Sequence, residues 1–565
     1  MKALKEKPLF LSKTAYICLS KIKGNMVNNR NFPTTTHYFP DLIKDNAVYV
    51  DKTSFIVSLL EKQTKANFFL SRPRRFGKSL FVSALEQVFL GKKELFKGLY
   101  IYDKIQWETH PVIRLSMDKT GFKEVGLEQA LTKAVHKIAG TYDIALAESS
   151  SGLALDELLK KLSEKFKKKV VLLIDEYDKP IINYIEKDNT TQAEANRDIL
   201  KSFYGILKDN GEYLRFVFIT GVSKFSKVSI FSDLNYFDDL TLDTRYANIC
   251  GFSEAELRQY CHAGLEDLAA KENTHIEAIV DKIRYWYNGF SWNAYDFVYN
   301  PYSTMLLMEK QVFDNYWFES GTPTFLVKLI NKVNRYDFEN VRVSKDDYSW
   351  HDLKNLDFIS IMLQTGYLTF KKPLGDNLYQ AGYPNKEVER GFERMLLKGY
   401  MYKQPSQMTE TILDIQDALE SHQLEKVIQI LKGMFGILPS HFFQEEKETT
   451  DAQGNKKTVF KAVGESFYHA IIYLVFNILG IRMPVEVTTQ EGRMDAVVET
   501  ESYIYIFEFK INRKAKAGIA QITKKNYPQH FALSKKQIYL IAVSFSLQKK
   551  GISDHKIELW TPPTS

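Results

Sequence analysis

Asn67-Phe68-Phe69-Leu70-Ser71 runs directly into Arg72-Pro73-Arg74-Arg75-Phe76-Gly77-Lys78-Ser79, and the chain continues Leu80–Leu90 (LFVSALEQVFL). The five residues ending at Ser71 read as a strand, and Lys78–Leu90 has helical periodicity. A turn that joins a strand to a helix and contains Gly-Lys-Ser is suited to hold phosphate. Backbone N–H groups at the helix start face the anion, a lysine neutralises the outer phosphates, and a hydroxyl reaches Mg²⁺. The general pattern G-x-x-x-x-G-K-[ST] asks for glycine where Arg72 stands. Gly77, Lys78 and Ser79 therefore supply only its second half, and a bare Gly-Lys-Ser is a weak signal.

The surrounding sequence strengthens it. Pro111–Met117 (PVIRLSM), Val170–Asp175 (VVLLID) and Leu214–Thr220 (LRFVFIT) are further apolar runs, separated by helical patterns at about 125–139, 155–167 and 192–208. Short apolar strands alternating with helices make a parallel α/β sheet. Val170–Asp175 ends in Asp175-Glu176. In that position Asp175 would support the Mg²⁺ shell, and Glu176 would orient and polarise the attacking water. Thr220 ends the fourth run, where a polar side chain would sense the terminal phosphate. Arg74 and Arg75 are either phosphate contacts or solvated loop charges. Asp51-Lys52-Thr53 reads as a cap for the helix that follows it.

Tyr49–Thr53 (YVDKT), Arg72–Ser79, Leu173–Lys179 (LIDEYDK) and Thr220–Phe225 (TGVSKF) together resemble the bacterial AAA-ATPase-like family. In that family an R-P-R-R-F-G-K-S loop replaces the glycine-first loop. The likeness is strong over about 37–260 and weaker through Tyr287–Phe290 (YNGF) and Tyr299–Ser303 (YNPYS). It implies an ATP- and Mg²⁺-binding P-loop ATPase. The cofactor-binding set is Arg74, Arg75, Phe76, Gly77, Lys78, Ser79, Asp175 and Thr220, with Ser79 and Asp175 toward the metal and Glu176 catalytic. The family often carries a second domain at its C-terminus, a PD-(D/E)xK nuclease.

The last 120 or so residues agree with that. Glu508 and Lys510 lie two apart on the strand Tyr503–Ile511 and so share a face. Asp495 lies on the strand before. Two carboxylates hold Mg²⁺, the ion acidifies a water, and the lysine positions the nucleophile. Asp495, Glu508 and Lys510 resemble the nuclease core, with Met494-Asp495 in place of Pro-Asp. Glu465 opens the preceding helix as a third acid, or is simply an acid favoured by the helix dipole. Gln521 on the next helix matches a further polar position of that superfamily. The plainer reading of this set is a surface hairpin with solvated charges. From Phe509 to Ile552 there are ten Lys and Arg and no Asp or Glu, which marks a candidate phosphate-contacting surface around Arg513, Lys514, Lys516, Lys524 and Lys525.

Composition bounds the rest. The 565 residues are 44% hydrophobic and 26% charged, so collagen-like, coiled-coil and mostly disordered chains are excluded. Three cysteines make neither a disulfide framework nor a zinc motif, which points to a reduced, cytoplasmic chain. No apolar stretch spans a bilayer, and no signal peptide is expected. The expected architecture is α/β: a lead-in at 1–30, with Met26 an alternative start, then a P-loop ATPase domain at 31–250 with its parallel sheet. A helical lid follows at 251–345, a mostly helical connecting region at 346–443, and an α/β PD-(D/E)xK nuclease-like domain at 444–565. The polar stretch Gln444–Lys457 reads as a linker or a long hairpin loop. The expected activity is ATP hydrolysis coupled to metal-dependent cleavage of DNA or RNA. The alternative is a nucleotide-switch scaffold whose nuclease-like domain binds without cutting. The oligomeric state stays open, a homo-oligomer included.

Overall fold

The computed structural model describes residues 30–62, 66–185, 189–224, 237–317, 338–348, 357–401, 405–436, 444–450, 456–462, 487–489, 492–546, 548 and 551–561, with side chains left undescribed at 397–409 and 436–494. The chain forms two compact units. One contains 1–181, 194–316 and 364–371, and the other the remainder.

The first unit is built on five strands: β1 (Asn67–Ser71), β2 (Val112–Ser116), β3 (Val170–Asp175), β4 (Leu214–Gly221) and the short β5 (Asp238–Asp239), in the order β2-β3-β4-β1-β5. All four pairings are parallel. Every residue of β3 and all but one of β4 are buried, as expected of strands covered on both faces. The strand that separates β1 from β3 in space is β4. The one that separates them in sequence, β2, lies at the sheet edge. Helix α1 (Thr53–Leu60) precedes the sheet. Asp51 Oδ1 accepts from the Thr53 N–H at 2.8 Å and from its hydroxyl at 2.6 Å; the residue at the helix cap itself is Lys52, whose side chain makes no cap bond. Helix α2 (Lys78–Phe89) packs on β2, β3 and β4, while α3 (Leu127–Thr141) and α4 (Ser151–Phe166) pair with each other against β2 and β3.

Between 251 and 316 the expectation of helices holds. Helices α5 (Glu254–Tyr260), α6 (His262–Lys271), α7 (Ile276–Tyr287) and α8 (Pro301–Lys310) share a core of Leu257, Leu265, Ile279, Ile283, Tyr287 and Leu307. Phe32, Val48 and Val50, from before the sheet, join that core. Lys52 ties the two parts together: its Nζ donates to both oxygens of Glu256, at 2.7 and 2.8 Å, and to the Asn248 carbonyl.

The second unit departs more from expectation. Around 346–443 the chain is less helical than its sequence suggests. β7 (Thr369–Gly375) and β8 (Leu378–Gly382) lie within this region, and β6 (Val341–Ser344) falls at the end of the stretch 251–345 that was expected to be helical; the three form a sheet in the order β6-β8-β7. The polar stretch after 443 is a hairpin, β9 (Gln444–Thr450) antiparallel to β10 (Lys456–Ala462). Two short strands, β11 (Val487–Thr489) and β12 (Gly492–Met494), pair next. A four-stranded sheet follows: β13 (Ala496–Glu499), β14 (Tyr503–Ile511), β15 (Gln537–Ser546) and β16 (Gly551–Leu559), in that order. β14 and β15 are parallel and the flanking pairs antiparallel. Helix α9 (Ala515–Lys524) joins β14 to β15 and packs on β14, β15 and β16. No described helix is long and apolar enough to cross a membrane.

Candidate functional sites

The Arg72–Ser79 loop leaves β1 and enters α2 with Gly77 at its cap. Gly77 has φ +91°, a conformation open to glycine at little cost. Lys78, 6% exposed, donates through Nζ to the carbonyls of Arg72 at 2.9 Å and Pro73 at 2.8 Å. Burial lowers its pKa, against the opposing pull of Asp175 and Glu176. Ser79 follows in the first helical turn, half-buried. Phe76 has its side chain buried, meeting Phe290 and Trp292 edge-on. Arg75 is exposed. Its guanidinium stacks 3.8 Å from the centre of the Tyr302 ring. Arg74 is half-buried.

The tips of β3 and β4 stand beside this loop. Leu70 and Ser71 of β1 register with Thr220 and Gly221, and Ile174 of β3 registers with Ile219. Asp175 is 3% exposed and its Oδ1 is buried without a hydrogen bond, as is the Thr220 Oγ1. Buried polar atoms without partners are uncommon and costly. Two of them at neighbouring strand tips, next to Lys78, suit a site that gains its partners from a ligand. Glu176 has φ +55°, in the left-handed region that side-chain-bearing residues avoid. Burial raises its pKa. Lys179, 3.7 Å away, pulls it down, and Asp175 pushes it up. Lys179 also pairs with Asp118 beyond β2, at 3.3 Å.

The turn after β3 is strapped to the tip of β4. Asp178 Oδ2 accepts from the N–H groups of Val222 at 3.0 Å and Ser223 at 2.6 Å, and the Tyr177 hydroxyl donates to the Ser223 carbonyl at 3.0 Å. A Cβ added to Gly221 would come within 2.5 Å of Asp178 Oδ1 and 2.6 Å of the Tyr177 ring, so this close approach requires glycine. Asp178 was not singled out from the sequence. A carboxylate three residues past a buried Asp, in a run that re-enters the core, was the available signal.

In the second unit Glu508 is 1% exposed and Lys510 Nζ pairs with its Oε1 at 2.6 Å. The face they share is not open. Ile504 and Ile506 pack against Ala515, Ile519 and Ile522 of α9, and Gly518 of that helix lies against the Glu508 stem. Asp495 sits at a bend between β12 and β13 rather than within a strand. It lies one residue before Ala496, whose partner across the sheet is Phe507. Its Oδ2 accepts from the Phe509 N–H at 2.8 Å, so Asp495 and Glu508 share one end of the β13–β14 pair. Gln521 lies on α9 as expected. Glu465 lies outside the described residues. Arg513, Lys514, Lys516 and Lys524 are exposed, and Lys525 is half-buried.

Residues 33–231 match the family model described as "Predicted AAA-ATPase", and residues 463–555 match that of the PD-(D/E)XK nuclease superfamily. A protein of Azotobacter chroococcum mcd 1, described as an uncharacterized protein in the vnfD 5′ region, is 32% identical over 526 residues. That span is 91% of this chain and 96% of the relative. The chain belongs to this AAA-ATPase-like family. Its members' nucleotide and divalent ion fit the residues present in the first unit: the unbonded Asp175 Oδ1 is an acceptor-only oxygen set beside the Lys78–Ser79 helix start. In the second unit, Asp495 and Glu508 give two carboxylates, a donor set that suits Mg²⁺ with retained waters. Among the described residues no cluster of three His, Cys, Asp or Glu side chains is placed to hold a metal.

Proposed function

We propose that this protein hydrolyses ATP in its first unit and cuts nucleic acid, DNA or RNA, with a divalent metal in its second. The observation that supports the reading is Lys78 at the start of α2 near Asp175 at the tip of β3, with Thr220 on the adjoining β4, and a buried oxygen without a hydrogen bond on each of Asp175 and Thr220. Lys78 and the N–H groups opening α2 would hold the β/γ-phosphates, and Ser79 and Asp175 would hold Mg²⁺. The ion would screen charge on the transferred phosphoryl group. Glu176 would orient and polarise the attacking water, and burial raises its pKa. Thr220 would donate to the terminal phosphate.

In the second unit Asp495 and Glu508 would hold the ion that acidifies the attacking water, with Lys510 positioning it. Glu465 is kept as a third acid. The exposed lysines of α9 and Arg513 favour phosphodiester as the substrate. We place the protein in the bacterial cytoplasm, a reducing compartment suited to Cys250 and Cys261, which are buried thiols. Purified full-length protein incubated with Mg²⁺ or Mn²⁺ and a panel of single- and double-stranded DNA and RNA, with and without ATP, tests the reading. Cleavage that disappears in Glu508→Ala supports it. Binding without cleavage on every substrate replaces the nuclease with a nucleotide-switch scaffold.

A further inference from the structure

The phosphate loop is gripped from outside the parallel sheet. Arg72, which stands where other P-loops have glycine, is fully buried. Its Nη1 donates to the carbonyls of Ser71 and Thr241, both at 2.9 Å, and its Nη2 to that of Tyr246 at 3.1 Å. The guanidinium lies 3.9 Å from the centre of the Trp292 ring. The same indole meets Phe76 edge-on at 5.6 Å, and Phe290 meets Phe76 at 4.8 Å. Pro73 is pressed by Gly366, where an added Cβ would come within 2.8 Å of the proline ring. Lys78 then donates to the carbonyls of the two gripped residues, Arg72 and Pro73.

A first glycine lets a phosphate loop turn by its own backbone freedom. Arg72-Pro73 lacks that freedom, since proline fixes φ and gives no N–H. Arg75 moreover has φ +65°. Such a backbone persists only where its surroundings dictate it. Trp292 touches both Arg72 and Phe76, toward either end of the turn.

We propose that Trp292 is a positioning residue for nucleotide binding: it clamps Arg72 and Phe76, and so fixes the loop carbonyls on which Lys78 is aligned. This rests on the nucleotide reading of the preceding subsection. A desolvated guanidinium on an indole face is a strong contact of its kind, and a leucine cannot replace it.

The test is the affinity of the full-length chain for a fluorescent ATP analogue with Mg²⁺, and for ADP by competition. It compares wild type, Trp292→Leu, Trp292→Phe and Ile283→Ala, each well below its own Tm. Ile283 is buried in the helical core and controls for general destabilisation. Trp292→Leu is expected to weaken both nucleotides about tenfold while kcat changes less than about threefold, the pattern of lost uniform binding. Trp292→Phe, which keeps a ring, recovers most of the loss. Wild-type affinity in Trp292→Leu, or an equal loss in Ile283→Ala, overturns the proposal. If Trp292→Leu does not fold, Trp292→Phe decides: a residual loss of about two- to threefold for both nucleotides that Ile283→Ala does not share upholds the proposal, and no residual loss, or the same loss in Ile283→Ala, overturns it. A wild-type chain that binds neither nucleotide refutes the nucleotide reading instead, a result distinct from these.

Discussion

Lys78 and Lys510 each stand near two acids, and the two sites use that proximity differently. Lys78 gives its hydrogens to backbone carbonyls and leaves Asp175 Oδ1 buried and unbonded. Lys510 closes on Glu508 at 2.6 Å, and Asp495 is already held by the Phe509 N–H. Each site keeps a buried carboxylate oxygen without a hydrogen bond, Asp175 Oδ1 in the first and Glu508 Oε2 in the second; they differ in what the lysine holds. The second satisfies part of its own demand, so an ion at Glu508 has to compete with a charge-assisted bond. A preorganised site should respond steeply to any change in its parts. A self-paired site should separate ion binding from chemistry.

The largest effects test whether the two sites are independent. Lys78→Ala should cut ATP turnover by at least about a hundredfold, the scale for removing one preorganised donor at developing charge, and weaken ATP binding too. Glu508→Ala and Asp495→Ala should each abolish metal-dependent cleavage and leave phosphate release from ATP measurable. Wild-type turnover in Lys78→Ala sinks the P-loop assignment, and wild-type cutting by Glu508→Ala, free of contaminating nuclease, reduces the C-terminal strands to a packed hairpin.

Glu176→Gln comes next. It should bind ATP within a few-fold of wild type and hydrolyse it about 10²–10³ times more slowly, since only water activation is removed. Loss of binding in an equilibrium titration would show that Asp175 and Glu176 do not divide the work as drawn.

Lys510→Ala sharpens the contrast directly. Cleavage should be lost while metal binding, followed by calorimetry, persists, because a protonated lysine is no ligand and its removal frees Glu508. The smallest effect belongs to the α9 surface. Changing Lys524 and Lys525 together to Ala should weaken duplex DNA binding and lower the log–log salt slope by about one per lost phosphate contact. An unchanged slope would move the nucleic-acid path elsewhere.

The parallel sheet was legible because its strands are continuous apolar runs, such as VVLLID, that only a doubly covered sheet explains. β16 was not seen. Its residues Ser553, Asp554, His555 and Lys556 break the apolar pattern, as an edge strand permits. β8 was missed for a similar reason, its first residues being exposed or half-buried. In the sites, Lys78, Asp175 and Glu176 were readable because each follows or precedes a strand that announces itself. The bend at Asp495 was not, since Met494 and Ala496 look alike in sequence but belong to different sheets. That α9 covers the face of β14 carrying Glu508 was not legible either, since nothing local in Ile504–Lys510 records that helix. The hold of Trp292 on Arg72 joins segments too far apart in the chain for any pattern to connect.

The left-handed backbone at Glu176 has a consequence for how such chains change under selection. Glycine and asparagine take that conformation at far lower cost, by a margin of about 1–3 kcal/mol for a held outlier. Selection for thermal robustness alone would therefore drift toward them at 176, and the acid would be lost while Lys78 and Asp175 stayed. A chain of this type with glycine at 176 would be a nucleotide clamp: durable, well folded and without turnover.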